Sequence, residues 1–139
     1  MEDKLIDYEL AVLAKRKGFD IPVHAYYQYH SGTIYERITD HFVMYSILPD
    51  NAKDDIECFL RPTQSLLQKW LRDKHKIDVE VHVYTRPHYC VDIINQYSGV
   101  EYVNNPNLIV LFEEHPRAFI TYEEALEEGL KQAIAKIKT

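Results

Sequence analysis

The stretch PTQSLLQKWLRDKHKIDVEVHV, residues 62–83, decides the fold. Pro62 and Thr63 open it as a helix start, with Thr63 the natural N-cap. Leu66, Leu67, Trp70 and Leu71 then recur at the three- and four-residue steps of one helix face. Gln64, Gln68, Lys69, Arg72 and Asp73 fall mostly on the other side. From Ile77 the period changes: Ile77, Val79, Val81 and Val83 alternate with Asp78, Glu80, His82 and Tyr84, the mark of a strand with one buried face.

Working toward the C-terminus, Thr85-Arg86-Pro87 reads as a turn, and Tyr89, Val91 and Ile93 resume the alternation in a hairpin partner. Closure at that turn sets Glu80 opposite Asp92, His82 opposite Cys90 and Tyr84 opposite His88. The valine face of 77–83 is then expected to be buried with Tyr89, Val91 and Ile93. Residues 99–107 read as a polar loop, 108–112 as an inner strand, and His115-Pro116 as a break. Thr121 and Glu124 form a capping box for a last helix over 121–137, whose apolar residues share one face. The order from Thr63 onward is α-β-β-β-α. Double-stranded-RNA-binding domains share that order and grip phosphate at the start of their final helix. Here that position holds Tyr122-Glu123-Glu124, which would repel phosphate, and order alone carries little about function.

Toward the N-terminus, Ile6, Leu10, Leu13 and Ala14 predict a helix over 5–17. Gly18 stands at its left-handed cap, Phe19 folds back on the last turn, and Asp20-Ile21-Pro22 ends the element. Residues 23–61 are harder to read. Short strands are expected at 26–29 and 42–47, and turns at Ser31-Gly32 and Pro49-Asp50-Asn51. The expected fold is therefore a single α+β domain over 1–139, an antiparallel sheet with helices packed on one face. Residues 62–139 form the α-β-β-β-α unit, and 1–61 add an extra N-terminal helix and an irregular Tyr-rich region.

Composition bounds the function. The 139 residues carry a net charge of −6, with 46% hydrophobic and 27% charged residues, as in an ordinary soluble domain. No apolar run approaches the roughly 20 residues a membrane span needs. The acidic, amphipathic start MEDKLIDYEL is unlike a signal peptide. Cys58 and Cys90 make no disulfide framework, so a cytoplasmic setting is expected. The acidic balance argues against a general nucleic-acid or anionic-membrane binder.

Three groups of residues are candidate sites. The chain holds 11 tyrosines, and Tyr26, Tyr27, Tyr29, Tyr35 and Tyr45 cluster where an amphipathic recognition surface would use them; the plainer reading is a small core with Tyr at its wet margin. The segment 63–88 is net basic in an acidic chain. Gln68, Lys69, Arg72 and Lys76, with Gln64 and Lys74, could lay phosphate and base contacts along a groove, although such a run is more often a solvated helix face. On the hairpin, His82, His88, Cys90 and Asp92 come within reach of one metal ion, with Glu80 adding charge opposite Asp92. That spacing lacks the tight signatures of zinc sites, and incidental surface residues are the plainer account. A further cluster, His30, Tyr35, Glu36 and His41, has the residue types of general acid–base chemistry. No cofactor is expected, and no catalytic residue is assigned.

The segments ELAVLAKRKGFDIP (9–22), PTQSLLQKWLRDKHKIDVEV (62–81) and TYEEALEEGLKQAIAKI (121–137) resemble a family of small proteins from Bacteroides-type gut bacteria and their phages. The resemblance covers about half the chain. It implies a bacterial, cytoplasmic, mobile-element-borne accessory protein, and it transfers no activity and no catalytic residue. The leading expectation is a non-enzymatic binding module that recognises a protein or small ligand. A nucleic-acid-associated regulator using the helix over 63–76 is the alternative, and a small metal-binding protein or enzyme comes third.

Overall fold

The computed structural model describes residues 3–83, 88–95, 99–106 and 117–138 and shows an α+β protein. The chain divides into two compact units, Met1–Thr63 and Gln64–Thr139. Each contains a three-stranded antiparallel sheet.

In the first unit, α1 (Tyr8–Arg16) starts later than its apolar pattern suggests, because the Asp7 carboxylate accepts the Leu10 N–H at 2.9 Å and caps it there. Leu5 instead makes a single antiparallel bridge to Thr63. At the other end Gly18 adopts φ 93°, and Phe19 N–H returns to the Ala14 carbonyl, burying the Phe19 ring as expected. Residues 23–61 are not irregular. They form β1 (Val23–His30), β2 (Thr33–Val43) and β3 (Ile56–Leu60), in the order β2-β1-β3. Ser31 and Gly32 both have positive φ, which suits a tight β1–β2 hairpin turn.

Two expectations for this region are corrected. The 42–47 strand is cut short: Val43 ends β2, and Ile47 N–H closes a turn onto the Met44 carbonyl. Asp50 and Asn51 serve as capping side chains, with Asn51 capping a single 3-10 turn at Ala52–Asp54. The reason for the first lies in β2. Of its eleven residues only Val43 is buried, so it carries no inward-facing alternation for a sequence pattern to register.

The core of this unit lies between α1 and the face of the sheet that holds Ala25, Tyr27 and Phe59. The Tyr8 ring meets Tyr27 and Phe59 edge-on at 5.5 and 5.4 Å, and the Tyr27 hydroxyl donates to the Ile6 carbonyl.

The second unit runs α2 (Gln64–His75), β4 (Ile77–Val83), β5 (Tyr89–Asn95), β6 (Gly99–Tyr102) and α3 (Tyr122–Ala135), with sheet order β4-β5-β6. Among the described residues the order is α-β-β-β-α, and its third strand comes from the segment expected to be a polar loop. Gly99 at φ 91° lets the chain turn back along β5. The expected strand at 108–112, the break at His115-Pro116 and the turn at Thr85-Arg86-Pro87 lie outside the described residues.

The β4–β5 register is the expected one: Glu80 pairs with Asp92 and His82 with Cys90. Val79, Val91 and Ile93 are buried and face α3. The burial fades toward the hairpin tip, where Val83 is 54% exposed. Helix α3 starts as expected, with the Thr121 hydroxyl accepting the Glu124 N–H. Gln64, placed on the polar side of α2 by its type, is buried. Its amide bonds the Glu123 carbonyl and the buried Glu127 carboxylate.

Candidate functional site

The two edges of the first sheet are finished in opposite ways. Along the outer edge of β3, Ile56 exchanges backbone bonds with Asn51. The Cys58 N–H donates to Asp50 Oδ1 at 2.7 Å and the Leu60 N–H to the Tyr45 hydroxyl at 2.9 Å. Lys15 Nζ closes the row on the Cys58 carbonyl, bridges Asp50 and Glu57 at 2.9 Å each, and stands over the Tyr45 and Phe59 rings. Burial opposes the Lys15 charge, but the hydrogen bonds to Asp50 and Glu57 outweigh it and hold its pKa above the ordinary value. Burial, reinforced by Asp50, pushes the Cys58 thiol up to about 11, so it is inert as a nucleophile. Every outward-facing N–H of this edge has a partner, and no strand can be added here.

On the other side, β2 has no strand beyond it among the described residues. The pairings Tyr26–Arg37, Gln28–Tyr35 and His30–Thr33 use the β1 residues whose backbone groups point away from β3, so the β2 groups that point outward belong to Ile34, Glu36 and Ile38. Their side chains are bare as well, with Ile34 45% and Ile38 77% exposed. Beyond Ile38 the register jumps from Ala25–Ile38 to Val23–Val43, a bulge that throws out residues 39–42 and leaves Phe42 exposed against the His24 ring. Met44 and Ile47 continue the exposed apolar run.

The tyrosines expected to form a recognition surface are divided by this architecture. Tyr27 is buried beneath α1, and the Tyr45 hydroxyl is committed to the β3 edge with its pKa raised, chiefly by burial. Tyr26 and Tyr29 are half-buried, and Tyr35 is exposed with Arg37 over its ring. The exposed apolar residues here are mostly Ile, Phe and Met. Their signal in the sequence was the imperfect alternation of the 42–47 run, which lies where β2 ends with its side chains exposed. The residues of the suspected acid–base cluster do not converge: Glu36 pairs with Arg61 at 2.9 Å and His41 with its neighbour Asp40.

In the second unit, the basic helix face has internal partners. Lys69 reaches Asp73, Arg72 reaches Asp78, and Lys76 donates to the Asp73 carbonyl. The Gln68 amide bonds the Val79 carbonyl, and Gln64 is buried. The two glutamines that would have read base edges are thus structural.

On the hairpin, the residues of the expected metal set are brought together only in part. His82 Nε2 lies 2.7 Å from Asp92 Oδ2, while the other Asp92 oxygen bonds Arg117, whose guanidinium stacks on Tyr102 at 4.0 Å. Cys90, expected at the surface, is buried beside the bridge between Tyr89 and Phe119. Burial raises its thiol pKa despite the nearby Arg117. Among the described residues no group of three or more His, Cys, Asp and Glu side chains is placed to hold a metal ion. The arrangement orients His82 and balances charge.

Comparison of the chain with protein-family models, curated proteins and solved structures gives no match. Among the described residues no helix is long and apolar enough to cross a membrane.

His75 provides an internal reporter. It ends α2 with its ring edge-on to Trp70 at 4.7 Å, and Nε2 is buried without a hydrogen-bond partner among the described residues. Burial, then the Lys74 charge, lowers its pKa. The unfolded chain therefore binds this proton more readily than the folded one. The His75 contribution to stability is present above the ordinary pKa of about 6.5 and is lost as pH falls through that value toward the lowered one. Trp70 is the sole tryptophan, and a protonated imidazole quenches indole emission. The Trp70 fluorescence is expected to fall on acidification with a midpoint below that of a free histidine, and the step should vanish in His75→Gln. A midpoint at or above the free value contradicts the burial of His75.

Proposed function

We propose that this chain is a non-enzymatic protein-interaction module that holds its partner on β2 and the segment following it. One observation carries the reading. Of the ten large hydrophobic residues exposed among the described residues, six (Ile34, Tyr35, Ile38, Phe42, Met44 and Ile47) fall in one short stretch of chain. So many exposed apolar side chains in one short run of a small domain mark an interaction site. The stretch includes a strand edge whose backbone groups suit a partner in extended conformation. The two free, buried thiols, Cys58 and Cys90, support a reducing, cytoplasmic setting, and the resemblance noted above favours a bacterial, mobile-element-borne origin.

Cross-linking mass spectrometry tests the reading, with the unmodified chain and an Ile38→Lys/Phe42→Ser/Ile47→Lys variant as parallel baits in a bacterial lysate. Cross-links from a bound protein to residues 34–47 are expected, and the variant should lose them. Cross-links that map elsewhere, or that survive the substitutions, overturn the reading.

The acidic balance of the chain and the internal partners of Lys69, Arg72 and Lys76 support a reading without nucleic acid. Duplex and single-stranded DNA and RNA are expected to show no shift with the unmodified protein at physiological salt. A complex of micromolar affinity or tighter, weakened by added salt and by Lys69→Ala/Arg72→Ala, would reverse that conclusion.

A further inference from the structure

We infer that the occupant of the β2 edge is a second copy of this chain, paired antiparallel through Thr33–Ile38 about a two-fold axis at Glu36. This inference rests on the interaction reading above and names its partner.

Register singles out this pairing. A two-fold axis perpendicular to a sheet pairs residues on the same face, so only a few registers exist for a short edge. The outward backbone groups of β2 belong to Ile34, Glu36 and Ile38, as the pairings with β1 and β3 require. Centring the axis on Glu36 sets Glu36 opposite its symmetry mate and Ile34 opposite Ile38 of the second copy, twice. All three outward residues then exchange both backbone bonds. Centring on Tyr35 or on Arg37 leaves one of the three without a match inside the regular segment. It also sets Ile34 opposite Glu36 in the first case and Arg37 against Arg37 in the second.

The side chains favour the same register. On one face Ile34 and Ile38, both exposed in the monomer, cover each other across the axis. On the other face Tyr35 of each copy meets Arg37 of the other, the pair that already associates within one strand, with the Arg37 guanidinium 5.0 Å from the Tyr35 ring centre. The single unfavourable contact is Glu36 against Glu36. Each of these carboxylates brings its own cation, Arg61 Nη1 at 2.9 Å. The bulge at 39–42 ends the regular edge just past Ile38, which confines pairing to this segment. The product is a continuous six-stranded sheet, β3-β1-β2 joined to β2-β1-β3, whose remaining edges are the sealed β3 strands.

Sedimentation equilibrium of the full chain from about 10 micromolar to about 1 millimolar suits a contact of this small size. The unmodified chain is expected to dimerise reversibly. Ile38→Lys should abolish the dimer. The register is read by single-cysteine variants under mild oxidation, since Cys58 and Cys90 are buried. Glu36→Cys should form a covalent dimer because directly paired Cα atoms lie about 5.5 Å apart. Ile34→Cys alone should not, whereas a mixture of Ile34→Cys and Ile38→Cys should.

A chain that stays monomeric over the whole range overturns the inference, and so does cross-linking of Ile34→Cys with itself at the rate of Glu36→Cys. A monomer whose residues 34–47 still cross-link to another protein overturns the second copy and leaves the interaction reading standing. A monomer that captures nothing there overturns both.

Discussion

Trp70→Ala is expected to destabilise the second unit by about 3–5 kcal/mol, the range for truncating a large buried aromatic. Trp70 is 4% exposed on the inner side of α2, with the His75 ring edge-on and the Lys74 ammonium 6.0 Å from its ring centre. Removing the indole leaves a cavity that the surrounding rigid elements can fill only in part. Chemical denaturation, followed by circular dichroism because the variant lacks tryptophan, measures the loss. In the unmodified protein the emission should be blue-shifted and protected from acrylamide. Red-shifted, freely quenched emission would show that α2 presents the opposite face to the sheet.

Gly129→Leu should be nearly as damaging, at about 3 kcal/mol, the upper part of the range for overpacking. Gly129 sits where α3 comes closest to its sheet. A Cβ placed there would stand 2.6 Å from Val91 Cγ2 and 2.8 Å from Val79 Cγ1. Those methyl groups belong to β-branched side chains with few rotamers, so the helix must lift away and uncover the valine face. Gly129→Ala separates two effects. Helix propensity alone predicts a gain of about 1 kcal/mol, while the contact predicts a net loss. A stabilised Gly129→Ala would show that α3 lies farther from the strands than these distances require.

The same positions show how much of the fold was legible. The valine alternation of 77–83, the capping box of α3 and the pairing of His82 with Cys90 follow from local rules, since one face of each element meets a core. Strand β6 escaped notice because Gly99-Val100-Glu101-Tyr102 is exposed on both faces. It pairs through its backbone, which leaves little trace in side-chain pattern. The expected inner strand at 108–112 lies outside the described residues.

The site was less legible still. Residue types suggested tyrosines, a basic helix and a His–Cys–Asp group, but availability depends on neighbours distant in sequence. Tyr45 is committed by the Leu60 N–H, Gln68 by the Val79 carbonyl, and Asp92 by His82 and Arg117. Each partner is eleven or more positions away, or lies on another element, and composition carries no record of it.

What the sequence by itself determined is the α+β class, the register of the central hairpin, the C-terminal cap of α1 and the start of α3. Periodicity and capping are local, and each of these follows from a single buried face or a single capped end. Only the tertiary structure decided which edge of the first sheet is open. Lys15 from α1 and Tyr45 and Asp50 from the β2–β3 connection close the β3 edge, while the outward groups of Ile34, Glu36 and Ile38 meet no strand among the described residues. Backbone hydrogen bonds are satisfied in three dimensions, so the edge left open for a partner is settled by where the chain has already spent its other donors and acceptors.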